Sequence, residues 1–201
     1  MQKCDYQDQA IALLQQLGTA RNRDFVSRGI PRVVLSRLTA SGQVERIERG
    51  IYRLPSSPSS EYESLISVAL KVPDAVFCLL TALQFHEITT QLPRQIWIAR
   101  PRGCHIPRMD YPPIKLVQVP NDIHSEGVEE HVRDGVKLRI YSIAQTVADC
   151  FKHRSKIGLD VALEALKEVR AKGRASMDDL WRFAKLHRVA NVMRPYLEVL
   201  G

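Results

Sequence analysis

The amino-acid sequence predicts an α+β fold in two parts. A bundle of short helices closed by a two-stranded hairpin comes first, then a mixed α/β domain with a small sheet and a helical C-terminal part. Three observations predict this. Residues 22–54, NRDFVSRGIPRVVLSRLTASGQVERIERGIYRL, pass from helical to alternating periodicity within one short stretch. The run Pro55-Ser56-Ser57-Pro58-Ser59-Ser60 breaks the composition and holds no core residue. Beyond it, strand-type runs come first and helical patterns fill the end of the chain.

Taken in order, Gln7 to Leu17 reads as a first helix, with Ile11, Leu14 and Leu17 inward, Ala10 and Leu13 beside them, and Gly18 as its stop. Residues 1–5 are expected to be loose. Arg23 to Arg28 reads as a second helix, packed through Phe25 and Val26, and Arg28-Gly29-Ile30 as a turn in which Gly29 is free to take positive φ. Pro31 stands where a first helical residue should, and Gly42 just past the end. Between them Val34, Leu35 and Leu38 share one face, and Val33, Ser36 and Ala40 form the other, flanked by Arg32 and Arg37. Two short helices joined by a glycine turn are a helix-turn-helix signature. Val44 to Ile47 and Ile51 to Leu54 then read as a hairpin, with Arg49 at its tip, so the whole is a winged helix-turn-helix.

The chemistry agrees. From Arg21 to Arg53 there are eight Arg, no Lys and three acidic residues (Asp24, Glu45, Glu48), a net +5 in 33 residues. Arginine forks onto phosphate or guanine as lysine cannot. A small helix face with a cation on each shoulder suits close approach to a groove. Arg32, Val33, Ser36, Arg37 and Ala40 are therefore expected at the major groove, and Arg49 at the backbone or minor groove. Arg21, Arg23, Arg46 and Arg53 are candidate phosphate contacts.

Residues 56–60 are expected to be a linker between a DNA-binding domain, 1–55, and a second domain, 61–201. There, Glu61 to Lys71 reads as a helix that Ser60 would cap with Glu63. Strands are expected at Ala75 to Leu79, Gln95 to Ala99, Ile114 to Val119, Val128 to Val132 and Val136 to Tyr141. Leu80 to His86 reads as a short helix, and Asp134-Gly135 marks a hairpin. Ser142, Asp160 and Ser176 would cap helices 143–152, 161–172 and 177–186. A last helix, 189–200, would be bent or broken at Pro195.

Composition narrows the function. The chain has 201 residues, 45% hydrophobic and 25% charged, with net charge +7, which favours a polyanionic partner. No apolar run approaches the roughly 18 residues of a membrane span, and MQKCDYQDQA holds no signal-peptide core, so a cytoplasmic protein without membrane contact is expected. The four Cys make no Cys-x-x-Cys pair, and Cys104-His105 alone is no metal site. The chain shows no nucleophile elbow, Walker A loop or dinucleotide fingerprint. No enzyme, metal or cofactor is expected. The six His are read as scattered surface or core residues. A basic set on the later helices, Lys152, Arg154, Lys156, Arg182, Lys185 and Arg188, reads either as a solvated surface or as a second binding face.

Several segments together resemble the AbiEi-type antitoxins of bacterial abortive-infection (type IV) toxin–antitoxin pairs. In the first domain these are Arg23-Asp24, Gly29-Ile30, Leu35, Leu38, Gly42, Ile47 and the wing Arg49-Gly50-Ile51-Tyr52. In the second they are Cys78 to Leu83, Ile96 to Ala99 and Asp149 to Leu166. The resemblance implies a phage-defence transcriptional repressor whose winged helix binds double-stranded DNA at inverted repeats of its own promoter. A chain monomeric in solution with two copies per operator is one arrangement open to it, and the sequence does not choose between one chain and two on an inverted repeat. It implies a second domain that counters a nucleotidyltransferase-like toxin without forming a stable complex. Two other readings stay open. One is an ordinary winged-helix regulator with a ligand-sensing or oligomerising second domain. The other is a nuclease with a DNA-binding arm, for which Glu129, Glu130 and Lys137 are the nearest approach to an active site.

Overall fold

The computed structural model describes residues 2–48, 50–55, 61–89, 91–105, 109 and 111–199, with backbone alone for residues 2–5 and 48. The chain forms two compact units. One takes Met1–Pro73 with Val132–Leu138, the other Asp74–His131 with Arg139–Gly201. The helix expected to open the second domain, α4 (Glu63–Lys71), thus groups with the first unit. The expected linker 56–60 and the Ser60 cap lie outside the described residues.

In the first unit, α1 (Gln2–Leu17) starts earlier than its apolar pattern: residues 2–5, expected to be loose, continue the helix. Ala10, Leu13 and Leu14 are its buried residues, and Ile11 and Leu17 pack at the margin of the core. Gly18 ends it at φ +72, its N–H donating to the Leu14 carbonyl at 2.8 Å. A strand that three residues were too short to announce, β1 (Thr19–Arg21), leads into α2 (Asn22–Val26). The turn follows with Gly29 at φ +76, as its position requires. Pro31 caps α3 (Arg32–Ala40) from just outside rather than beginning it: its ψ of 142° is extended, and its carbonyl accepts from Val34. The hairpin β2 (Glu45–Glu48) and β3 (Ile51–Arg53) gains β1 as a third strand, in the order β1-β3-β2. Tyr52 lies between Ala20 on one side and Arg46 on the other. The side chains of Phe25, Ile30, Val34, Leu35, Leu38, Val44 and Tyr52 share one core with α1. Phe25 meets Tyr52 edge-on, ring centres 6.0 Å apart.

A five-stranded sheet joins β4 (Val76–Phe77), β5 (Ile96–Pro101), β6 (Ile114–Val119), β7 (Val128–Arg133) and β8 (Val136–Tyr141), and of it only Val132–Leu138, around the β7–β8 turn, groups with the first unit. Their order is β6-β5-β4-β8-β7. Two-residue β4 is the centre, antiparallel to β5 and parallel to β8. It is shorter than the five apolar residues suggest, because Cys78 already caps α5 (Leu79–Phe85). Asp134 and Gly135 both take positive φ, 48° and 73°, the left-handed pair that an Asp-Gly hairpin turn needs.

The helices are α6 (Asn121–Ser125), α7 (Ile143–Lys152), α8 (Arg154–Ile157), α9 (Leu159–Ala171), α10 (Met177–Leu186) and α11 (Ala190–Val199). Short α6 and α8 fall in segments to which the sequence pattern assigns no element. Ser142 and Ser176 cap α7 and α10 as expected, accepting from the N–H groups of Gln145 and Asp179. Asp160 does not cap α9. Gly158 does, at φ +97, a conformation closed to aspartate, and Asp160 sits in the first turn. Helix α11 continues through Pro195. Among the described residues no helix is long and apolar enough to cross a membrane.

Helix α7 is buried at every position from Ala144 to Phe151, the pattern of a helix wrapped by others. Beside it Gly127 takes φ +58, and a Cβ there would lie 2.7 Å from the Phe183 ring and 3.0 Å from Gln145 Cβ. Gly173 has the same backbone, φ +61, with nothing within 4 Å. In urea melts, Gly173→Ala should therefore cost about 1 kcal/mol, the left-handed backbone alone. Gly127→Ala should cost roughly 2 kcal/mol or more, because a buried ring must also move. Equal losses would show that the space around Gly127 yields freely.

Candidate nucleic-acid interface

Helix α3 divides cleanly. Val34, Leu35 and Leu38 are buried, at 6%, 0% and 0% exposure, and Arg32, Val33, Ser36, Arg37 and Ala40 are all exposed. The core claims one stripe and leaves the five predicted residues together on the other, with two guanidiniums bracketing a low surface. That surface lies one turn of chain from the α2 end, where Arg28 is also exposed and its guanidinium reaches back to the Asp24 carbonyl.

The other predicted arginines separate by what holds them. Arg23 is exposed, 3.9 Å from Asp24, and Arg46 is exposed on β2. Arg21 is half-buried; burial first, and the neighbouring Arg23 next, lower its pKa, against the pull of Asp24. Its own N–H donates to Asp24 Oδ2 at 2.7 Å, which fixes the β1–α2 corner. Arg53 differs. Its guanidinium donates to Glu45 at 2.9 Å and meets Glu63 at 3.0 Å, and the Glu45 bond is the leading cause of its raised pKa. Both carboxylates hold Arg53 within the unit, joining β3 to β2 and α4, so it is not offered to a phosphate as the sequence suggests. Arg49 lies outside the described residues. The wing beside it is anchored: Gly50 takes φ +82, and its carbonyl accepts from the Asn22 N–H at 2.9 Å.

With this geometry stands a match to a family model described as a transcriptional regulator, AbiEi antitoxin, over residues 8–55. Residues 8–55 are similar to the regulator domain of AbiEi-type antitoxins. The match takes in α2, the turn, α3 and the wing, and makes the N-terminal part a DNA-binding regulator of transcription. Three chains of solved structures also match. One is the RV2827C protein from Mycobacterium tuberculosis, with a TM-score of 0.63 and 14% identity over 90% of this chain and 71% of that one. At that identity the likeness is one of fold. No curated protein matches the chain.

Outside the AbiEi-type domain, the second unit disposes its predicted basic residues unevenly. Lys152, Lys156, Lys185 and Arg188 are exposed. Arg154 turns back to donate to the Phe151 carbonyl at 2.9 Å, capping α7. Arg182 stands 3.6 Å from Glu126 and 3.7 Å from Asp179. With Lys185 it lines an open groove whose other walls are Glu126, Asp178, Trp181 and Leu186. Two acids offset two bases there, so the groove is not a simple anion site.

A different group stands outside the residues that the sequence singles out. Asp149 and His153 stand four residues apart at the end of α7, which helical spacing could have revealed. Only the fold brings His187, at the end of α10, beside them. Asp149 Oδ1 is 3.5 Å from His153 Nε2 and 3.9 Å from His187 Nδ1, too far for well-made hydrogen bonds. Gln145, one turn earlier on α7, is also fully buried. Burial pushes the Asp149 carboxyl up to about 7, against the pull of Lys156. Burial also pushes His153 and His187 down to about 4, helped by Lys152 and, respectively, Lys156 and His153. Each group is thus held towards its neutral form. Among the described residues no set of three His, Cys, Asp or Glu side chains is arranged to hold a metal.

The sign of the pH effect follows. A carboxyl whose folded pKa is raised stabilises the fold below its unfolded value, near 4, and loses that contribution as pH rises through about 7. The imidazoles act oppositely, losing theirs as pH falls from about 6.5 towards 4. Asp149→Asn keeps the shape and cannot ionise. Its melting temperature should fall less than that of the wild type between pH 5.5 and 8.5. Parallel curves would return Asp149 to an ordinary carboxylate.

Proposed function

We propose that the protein represses its own operon by laying α3 in the major groove of promoter inverted repeats, one chain per half-site, and that its second unit counters a nucleotidyltransferase-like toxin encoded alongside. The observation that carries the first half is the exposed face of α3, where Arg32, Ser36 and Arg37 stand free of the core within the regulator domain. Arg32 and Arg37 read or position guanine edges, and Ser36 lets the helix approach closely. Arg23 and Arg46 contact phosphates, and Arg49 does so from the wing. Arg21 and Arg53 serve chiefly to hold the corner and the wing in place.

The antitoxin half is supported by the regulator family alone. Its genetic test is deletion of the neighbouring gene: the regulator should be indispensable only while that gene is present. A regulator equally dispensable in both backgrounds would leave repression without antitoxicity.

The DNA half is tested by fluorescence anisotropy with the duplex from upstream of the gene against a scrambled duplex at several salt concentrations. Preference for the upstream duplex should persist as salt rises. Arg37→Ala should lower specific affinity by about 1–3 kcal/mol while leaving binding to the scrambled duplex nearly unchanged. Equal, steeply salt-dependent binding to both duplexes would reduce α3 to a basic surface.

A further inference from the structure

The one β-branched apolar residue on the outward face of α3 is Val33, 52% exposed. A single exposed valine on a protein surface needs no explanation. This one occupies the second position of α3, between Arg32 and the outward Ser36 and Arg37. It shares the outward face with Arg32, Ser36 and Arg37 while Val34 and Leu35 take the core. The apolar core of the unit takes Val34, Leu35 and Leu38, on the other side of the helix.

The N-terminal residues of a recognition helix are the ones that reach base edges. On the major-groove edge of a base pair the apolar feature is the thymine methyl group. A cytosine in its place would bring an amino donor against a side chain with no acceptor. Arg37, four residues on, stands about 6 Å further along the helix axis, the reach of one or two base steps. Ser36 and Ala40 keep the surface between them low enough for both to touch the groove floor.

We propose that Val33 is a specificity-determining residue that reads the 5-methyl group of a thymine in each operator half-site, beside the base pair contacted by Arg37. This rests on the DNA-binding reading above, and its test separates the two. The probe is the upstream duplex, synthesised with each thymine replaced singly by uracil, which removes the methyl group and keeps the Watson–Crick pairing. Wild-type protein should lose about fourfold in affinity, the value of one buried methyl group, at one position per half-site. Val33→Ala should bind the unmodified duplex more weakly by a similar or larger factor and lose the uracil penalty at that position alone. Arg32→Ala should keep the penalty.

If no uracil position matters, or if the penalty survives in Val33→Ala, the assignment of Val33 is overturned while specific DNA binding stands. If the wild type does not prefer the upstream duplex at all, the DNA-binding reading falls and the thymine assignment with it. Because Val33 is exposed, Val33→Ala should melt like the wild type, so a loss of affinity reads out contact rather than unfolding.

Discussion

What the first unit shows to the outside depends on how Val34, Leu35 and Leu38 are buried. These side chains lie in one core with Phe25, Ile30 and Tyr52, each worth roughly 1.5–3 kcal/mol when fully removed from water. Their spacing leaves one rotation of α3 compatible with the core. A turn of the helix by one residue, in either sense, would bury Arg37 or Ser36 and expose Leu38. The polar face is therefore aimed by its apolar counterpart, and nothing outward-facing is needed to hold it. The wing is tied to the same core, since Tyr52 meets Phe25 of α2 edge-on and the Gly50 carbonyl takes the first N–H of α2.

The elements that could be read in advance are those whose determinants are local. Gly29 and Gly42, Pro31, the buried stripe of α3, the Asp134-Gly135 turn and the serine caps of α7 and α10 each depend on a few neighbouring residues. Several of the misreadings fall where partners are distant. Strand β1 is three residues long and exists because β3 offers it a ladder. Strand β4 is two residues long and is secured by strands on both sides. Arg53 looked like the other arginines until Glu45 and Glu63 closed on it. The exposed face of α3 was legible because helical periodicity alone puts its residues together. The Asp149 group was not, because His187 arrives from a helix nearly forty positions later.

That group makes the interior of the second unit unusual. Gln145 and Asp149 lie along a helix otherwise made of apolar and small residues, and both are fully buried. A buried polar atom without a hydrogen bond costs about 1–3 kcal/mol. Replacing such residues by apolar ones of similar shape is often neutral or stabilising. The neutral forms favoured for Asp149, His153 and His187 limit that cost, since a neutral carboxyl and imidazole desolvate far more easily than ions. The core of the second unit is thus held together by apolar contacts around a polar seam between α7 and the end of α10.

The pairing of Arg53 has a consequence for how this protein responds to ionic strength. Its side chain is only 16% exposed, and shielded ion pairs are screened much less than exposed ones. Added salt will displace exposed arginines such as Arg23, Arg32 and Arg37 from a polyanion long before it loosens the clasp of Arg53 on β2 and α4. The arginines therefore form two populations: an outer set that exchanges with counterions and an inner one that does not. In a complex made through the outer set, the slope of affinity against salt would count that set alone, because the scaffold that presents it keeps its shape throughout the titration.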